Sequence, residues 1–225
     1  MNAVNQNPDT SAIWNTSSIT PGTAFMNKLH TLVTAHFKSN PKVIVSSSCE
    51  SGEGEHKIFQ HIRNFPDVHK NQTTIIYGLD ADLIMLCLNH LHISERIFLY
   101  RETPEFFIRT LDETCQYFVD IPELAQSIIK YMNCMHDHSG QVSEKIEFQN
   151  EKCRMFDYIF ICFMLGNDFM PHFPAVNIRT TGIDTLLEAY RKTIGCNPGE
   201  YLICLTQQNN TNINWTNYKV FVEYL

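Results

Sequence analysis

Thr73-Thr74-Ile75-Ile76-Tyr77-Gly78-Leu79-Asp80-Ala81-Asp82-Leu83-Ile84 is the stretch whose reading decides the fold. Its β-branched first half predicts a strand over residues 73–77 that stops at Gly78, and the apolar spacing beyond predicts a helix from Asp82 to about Leu91. Two aspartates therefore stand where a strand ends and a helix begins. Further strands are expected at Val43-Ile44-Val45, at residues 97–100 and at residues 117–119, the last followed by a helix that Pro122 opens toward Met132. Strands alternating with helices of about ten residues read as βαβ units. The fold class is α/β, with a mostly parallel central sheet flanked by helices on both faces and a helical C-terminal portion.

Residues 1–18 are rich in Asn, Ser and Thr without hydrophobic periodicity and read as a flexible segment, and residues 19–225 as the folded domain. After Pro21-Gly22, Phe25, Met26, Leu29, Leu32, Val33 and Phe37 recur at helical spacing, with Thr20 or Thr23 as the cap. Ile58, Phe59, Ile62 and Phe65 mark a second helix. Residues 140–150 turn polar and read as an exposed loop. An apolar helix follows, with Phe156, Ile159, Phe160, Phe163 and Met164 as its stripe, and Gly166 ends it. A further helix covers residues 182–193, Pro198-Gly199 makes a turn, and residues 218–225 form a last apolar segment.

Carboxylates recur at element ends: Glu53 and Glu55 in Gly52-Glu53-Gly54-Glu55-His56-Lys57, Asp80 and Asp82 after the strand, and Asp168 in Gly166-Asn167-Asp168-Phe169. In open α/β sheets ligands bind beyond the carboxyl ends of the strands. If the fold gathers the five within ~5 Å, each ionised pair repels by roughly 3 kcal/mol at an effective dielectric of ~20. A cation must offset that. Hard divalent ions prefer oxygen ligands, so the pattern points to Mg²⁺ or Mn²⁺, most simply two ions acting on a phosphodiester. His56 and Lys57 are the candidate substrate-binding residues beside them. Taken singly, each acidic pair also reads as a helix N-terminus or cap, and Asp168 as a turn residue. Phe169, His172 and Phe173 read as core packing in preference to base stacking.

The chain has 225 residues, 44% of them hydrophobic, enough for one sizeable core. A net charge of −7 does not favour nucleic-acid binding by itself, although five of the 24 acidic side chains would be neutralised as ligands. No apolar run reaches the ~20 residues of a membrane span, and no signal core follows Met1, so an intracellular protein is expected. The eight cysteines contain no Cys-x-x-Cys pair, and several sit in apolar runs as reduced thiols. Cys134, His136 and His138 form a dense local group that reads as a polar loop.

The motifs Ile19-Thr20-Pro21-Gly22-Thr23, Gly52-Glu53-Gly54-Glu55-His56-Lys57-Ile58, Tyr77-Gly78-Leu79-Asp80-Ala81-Asp82-Leu83-Ile84, Gly166-Asn167-Asp168-Phe169, Pro171-His172-Phe173-Pro174 and Ile183-Asp184-Thr185-Leu186, in this order, resemble the nuclease region of the XRN 5′→3′ exoribonuclease family. The resemblance implies a PIN-like nuclease core and stepwise hydrolysis of single-stranded RNA bearing a 5′-monophosphate. It also implies that Glu53, Glu55, Asp80, Asp82 and Asp168 are the metal-site carboxylates. The family's N-terminal block, with two further aspartates and basic phosphate-binding residues, has no counterpart here, nor do the domains that follow the nuclease region. The expectation is therefore a partial nuclease region, with a separate polypeptide as one source of the missing block. The alternatives are a catalytically incomplete RNA-binding or RNA-decay-complex module and a nuclease of the flap-endonuclease type.

Overall fold

The computed structural model describes residues 15–101, 111–112, 115–133, 151–167, 170–197, 199–205 and 211–225. The chain divides into two compact units, Met1–Asn64 and Phe65–Leu225. In the first, a 3-10 turn over Thr16–Ile19 is capped by Asn15. It falls partly within the expected flexible segment, whose residues 1–14 lie outside the described ones. Helix α1 spans Ala24–Phe37, and Thr23 is its cap, its side chain accepting the Met26 N–H at 3.3 Å. Helix α2 spans Gly54–Asn64 and buries Phe59 and Ile62.

The strand expected at Val43–Val45 does not form, and Ile44 is 75% exposed. The chain turns instead, with the Val43 N–H donating to the Asn40 carbonyl at 3.1 Å and the Lys42 N–H to Asn40 Oδ1 at 3.0 Å. A β-branched triplet makes a strand only where a neighbour pairs with it, and these local bonds take up the donors first.

The second unit opens with α3, Pro66–Asn71, followed by β1, Thr74–Tyr77, α4, Asp82–His90, and β2, Ile97–Arg101. Strands β1 and β2 pair in parallel, with Thr74 opposite Ile97 and Tyr77 opposite Tyr100. Strand β3, Tyr117–Asp120, joins the other edge of β2 antiparallel. Among the described residues the sheet is thus small and mixed, not mostly parallel. The direction of β3 follows from what comes next. It runs straight into α5, Ile121–Met132, with Asp120 both ending the strand and accepting the Glu123 N–H as cap, and α5 packs beside α4 and against β2.

Ile76, Ile97 and Leu99 are buried on the helix side of the sheet. On the other side Tyr77, Tyr100 and Phe118 form a row of rings with centroids 5.3 and 5.2 Å apart, and Tyr77 and Phe118 are 57% and 48% exposed. Among the described residues of this unit, helices α4 and α5 cover the sheet on the side of Ile76, Ile97 and Leu99.

Helix α6, Glu151–Phe163, packs against α4, α5, α7 (Gly182–Thr193) and β4 (Ile203–Leu205). Enclosed on several sides, it buries Ile159 and Met164 of the expected stripe but not the three aromatic residues. Phe163 is exposed and Phe156 and Phe160 half-buried, whereas Cys153, Arg154, Met155, Asp157, Ile159 and Ile161 are buried. Strand β4 pairs antiparallel with β5, Thr211–Ile213, and α8, Trp215–Tyr224, closes the chain with Asn214 as its cap.

A buried polar network joins these pieces. Arg154 donates from Nε to Asn133 Oδ1 at 2.8 Å, from Nη1 to the Tyr190 hydroxyl at 2.5 Å and the Glu200 carbonyl at 2.8 Å, and from Nη2 to the Asn197 carbonyl at 3.2 Å. Asp157 accepts from the Tyr190 hydroxyl and, at 2.7 Å, from the Ile203 N–H. Both charged side chains are wholly buried, 3.9 Å apart. A buried pair of charges persists only when its remaining hydrogen-bonding capacity is met, as it is here.

Candidate metal centre

The first carboxylate pair belongs to the start of α2. Gly52 adopts φ +95°, a left-handed conformation that favours glycine, and turns the chain into the helix. The Glu53 carbonyl then accepts the Lys57 N–H at 3.1 Å, the first helical bond, so Glu53 occupies the cap position and Glu55 the first turn. Glu53 is exposed and Glu55 half-buried. His56 Nε2 lies 3.7 Å from Glu53 Oε2, with both side chains more than half exposed, a pairing worth at most about 1 kcal/mol. The Lys57 ammonium is engaged elsewhere, donating to the Ser47 carbonyl at 2.7 Å.

The second pair stands beyond the carboxyl end of β1. The Gly78 N–H donates to the Tyr100 carbonyl at 3.3 Å, prolonging the parallel ladder by one bond, and Arg101 reaches from β2 to the Leu79 carbonyl. Asp80 and Asp82 follow, both exposed, with Asp82 as the first residue of α4. A β-carbon on Gly78 would fall 2.2 Å from a methyl group of the buried Leu83. The strand-to-helix turn that presents Asp80 and Asp82 thus packs its own glycine onto the first apolar residue of the helix.

Asp168 and Phe169 lie outside the described residues, but their flanks are placed. Gly166, at φ +81°, ends the helical region, and its N–H donates to the Phe163 carbonyl at 3.1 Å. The Asn167 N–H donates to the Met170 carbonyl at 2.9 Å, and Asn167 Oδ1 accepts the Met170 N–H at 2.8 Å. The Phe173 N–H donates to the Met164 carbonyl at 2.7 Å. His172 is exposed, in contrast to the core position expected of it, and Phe173 is half-buried.

Mg²⁺ binds through one or two carboxylates, water and substrate phosphate, and each pair offers oxygen donors of that kind within reach of solvent. The chemistry of the donors fits. Among the described residues no group of three or more His, Cys, Asp or Glu side chains stands ready to hold a metal ion. Cys134, His136 and His138 are outside those residues, and the described cysteines are free thiols. Sequence reasoning did not identify the Arg154–Asp157–Tyr190 network. Its one signal was a charged pair at i and i+3 inside an otherwise apolar helix, which reads as a solvated face.

Comparison with known proteins agrees with the motifs. Residues 1–103 match the family described as XRN 5′-3′ exonuclease N-terminus, and residues 147–225 match the Xrn1 helical domain. The chain is 32% identical over 225 residues to the 5′-3′ exoribonuclease 2 of Kluyveromyces lactis, a match covering 89% of this chain and 23% of that protein. It is 33% identical over 203 residues to the Saccharomyces cerevisiae protein of the same name, covering 79% and 20%, and 32% identical over 218 residues to the 5′-3′ exoribonuclease 2 homolog of Drosophila melanogaster, covering 80% and 24%. The chain spans between a fifth and a quarter of the length of these relatives. It belongs to the XRN 5′-3′ exonuclease family, of which it carries a partial region.

Proposed function

We propose that this chain supplies metal-site carboxylates of a 5′→3′ exoribonuclease that hydrolyses single-stranded RNA bearing a 5′-monophosphate. The observation that carries the reading is family membership with the motif carboxylates intact. Glu53, Glu55, Asp80, Asp82 and Asp168 would hold Mg²⁺ or Mn²⁺, two ions in the simplest arrangement, directly or through water. Metal bound there would supply Lewis-acid stabilisation of the charge that develops at the phosphodiester. The exposed His56, in the first turn of α2, would donate to a phosphate oxygen, and contacts to the sugar-phosphate chain would leave base identity unread. Whatever groups the site needs beyond these five come from the rest of the polypeptide or from a second one.

A second reading is an RNA-binding or RNA-decay-complex module that does not cut. One experiment separates the two. RNA labelled at its 3′ end, carrying either a 5′-monophosphate or a 5′-hydroxyl, is incubated with the protein in Mg²⁺ or in EDTA. The nuclease reading expects stepwise shortening of the monophosphate RNA in Mg²⁺ alone, abolished by Asp80→Asn. Equal rates on the two 5′ ends would remove the phosphate requirement, and RNA bound but uncut would favour the module.

A further inference from the structure

Lys57 stands in the first turn of α2, two residues after Glu55, yet its ammonium does not point into open solvent. It donates to the Ser47 carbonyl, ten residues back, at 2.7 Å. The same carbonyl accepts the Glu50 N–H at 3.1 Å, and Ser47 Oγ accepts the Cys49 N–H at 3.2 Å. Ser46 Oγ donates to Glu50 Oε2 at 2.6 Å. The turn over residues 46–50 is therefore closed on itself, and Lys57 is the side chain that ties it to the helix. The aliphatic stem is part of the tie: Cγ and Cε each lie 3.9 Å from where a β-carbon on Gly52 would be, so the lysine runs along the glycine turn that precedes Glu53. At its other end, the Lys57 N–H bonds the Glu53 carbonyl at 3.1 Å. One residue thus holds both ends of the segment from Ser47 to Glu53, by side chain at the start and by main chain at the finish.

We propose that Lys57 is a positioning residue whose ammonium clamps the Ser46–Glu50 turn onto the start of α2 and thereby fixes the orientation in which Glu53 and Glu55 present their carboxylates. The functional half of this rests on the metal reading given above; the clamp itself does not. The competing role for a lysine at this place is direct contact with a substrate phosphate. A protonated amine that already satisfies a main-chain carbonyl must give up that charge-assisted bond to reach a phosphate. Partners that orient metal ligands without touching the metal alter metal affinity when removed, whereas a phosphate contact alters RNA affinity and its salt dependence.

The test uses the 225-residue chain with Lys57→Met, which keeps an apolar stem and loses the charge, and Lys57→Arg, which keeps charge and reach. Hydrogen exchange over residues 46–53 is followed by mass spectrometry, with α7 as the internal reference. Mn²⁺ affinity is measured by electron paramagnetic resonance without RNA. RNA affinity is measured in EDTA. The clamp expects faster exchange over residues 46–53 in Lys57→Met but not over α7, with Mn²⁺ affinity weakened roughly tenfold and largely recovered in Lys57→Arg. Unchanged exchange and Mn²⁺ affinity in Lys57→Met overturns it. So does unchanged exchange together with loss of affinity for 5′-monophosphate RNA, which would assign the lysine to the phosphate. If the wild type binds no Mn²⁺, the metal reading fails, and the exchange data alone decide whether the clamp exists.

Discussion

A β-carbon on Gly166 would stand 2.7 Å from the main-chain nitrogen of His172 and 3.1 Å from the Met170 carbonyl oxygen. Neither neighbour is a flexible side-chain end, and φ is +81°, so alanine at this position meets a backbone clash and a left-handed conformation together. Gly166→Ala is expected to lower stability by roughly 2 kcal/mol or more, read as a reduced urea midpoint at unchanged slope. Because the Asn167–Met170 pairing lies next in the chain, the variant also tests whether that pairing is set from this glycine.

Asp157 gives the second expectation, a pH dependence. Burial pushes its carboxyl up to about 6, against the opposing pull of the Tyr190 hydroxyl, the main-chain N–H groups of Ile203 and Leu202, and the Arg154 charge. The folded protein therefore holds this proton more tightly than the unfolded chain. Its contribution to stability is complete below about pH 4 and is lost as pH rises through about 6, a change of roughly 3 kcal/mol. Denaturation of the wild type and of Asp157→Asn from pH 4 to 7 should show the difference between them shrinking by that order. A constant difference would mean that Asp157 titrates alike in both states.

Metal binding, if the carboxylates act as proposed, is linked to folding. Thermal melts with MnCl₂ at a hundredfold excess over Kd should reveal stabilisation of roughly 2.7 kcal/mol, removed in Asp80→Ala/Asp82→Ala. An equal shift in that double variant would place the metal elsewhere.

Thr23 offers a local test in the first unit. Its hydroxyl oxygen accepts the Met26 N–H and donates back to the Thr20 carbonyl at 2.9 Å. Thr23→Ala should cost about 1 kcal/mol, seen as faster hydrogen exchange in the first turn of α1, and Thr23→Ser should restore most of it.

Where the sequence carried strong local chemistry, its reading was close to the structure. The run through Tyr77 into Asp82 gave β1 and α4 because β-branching, a terminal glycine and a fresh apolar period all coincide there. Helix α7 has the bounds expected, Gly182–Thr193. Val43–Val45 failed because strand formation depends on a neighbour that local sequence cannot name. The 3-10 turn, α3 and the β4–β5 pair were too short to leave a periodic signal. Arg154 escaped notice for a different reason: its hydrogen-bond acceptors lie 21 to 46 residues away, and only Asp157, three residues on, is near it in sequence. Of the candidate site, the sequence expected both acidic pairs beyond strand ends: Asp80 and Asp82 do follow β1, whereas Glu53 and Glu55 follow a glycine turn and open α2, and the distances among the five carboxylates were not legible.

The Arg154 network also sets where this polypeptide can be divided. Its ligands run from Asn133 through Tyr190, Asn197 and Glu200, and its companion Asp157 reaches Ile203. A fragment end drawn inside that interval leaves a guanidinium or a carboxylate in the interior with part of its shell gone, at a cost of roughly 3–5 kcal/mol. Fragments cut between residues 133 and 203 are therefore expected to be less stable than fragments cut on either side of that interval, whereas exchange of whole segments with a relative keeps the main-chain partners at Asn197, Glu200 and Ile203.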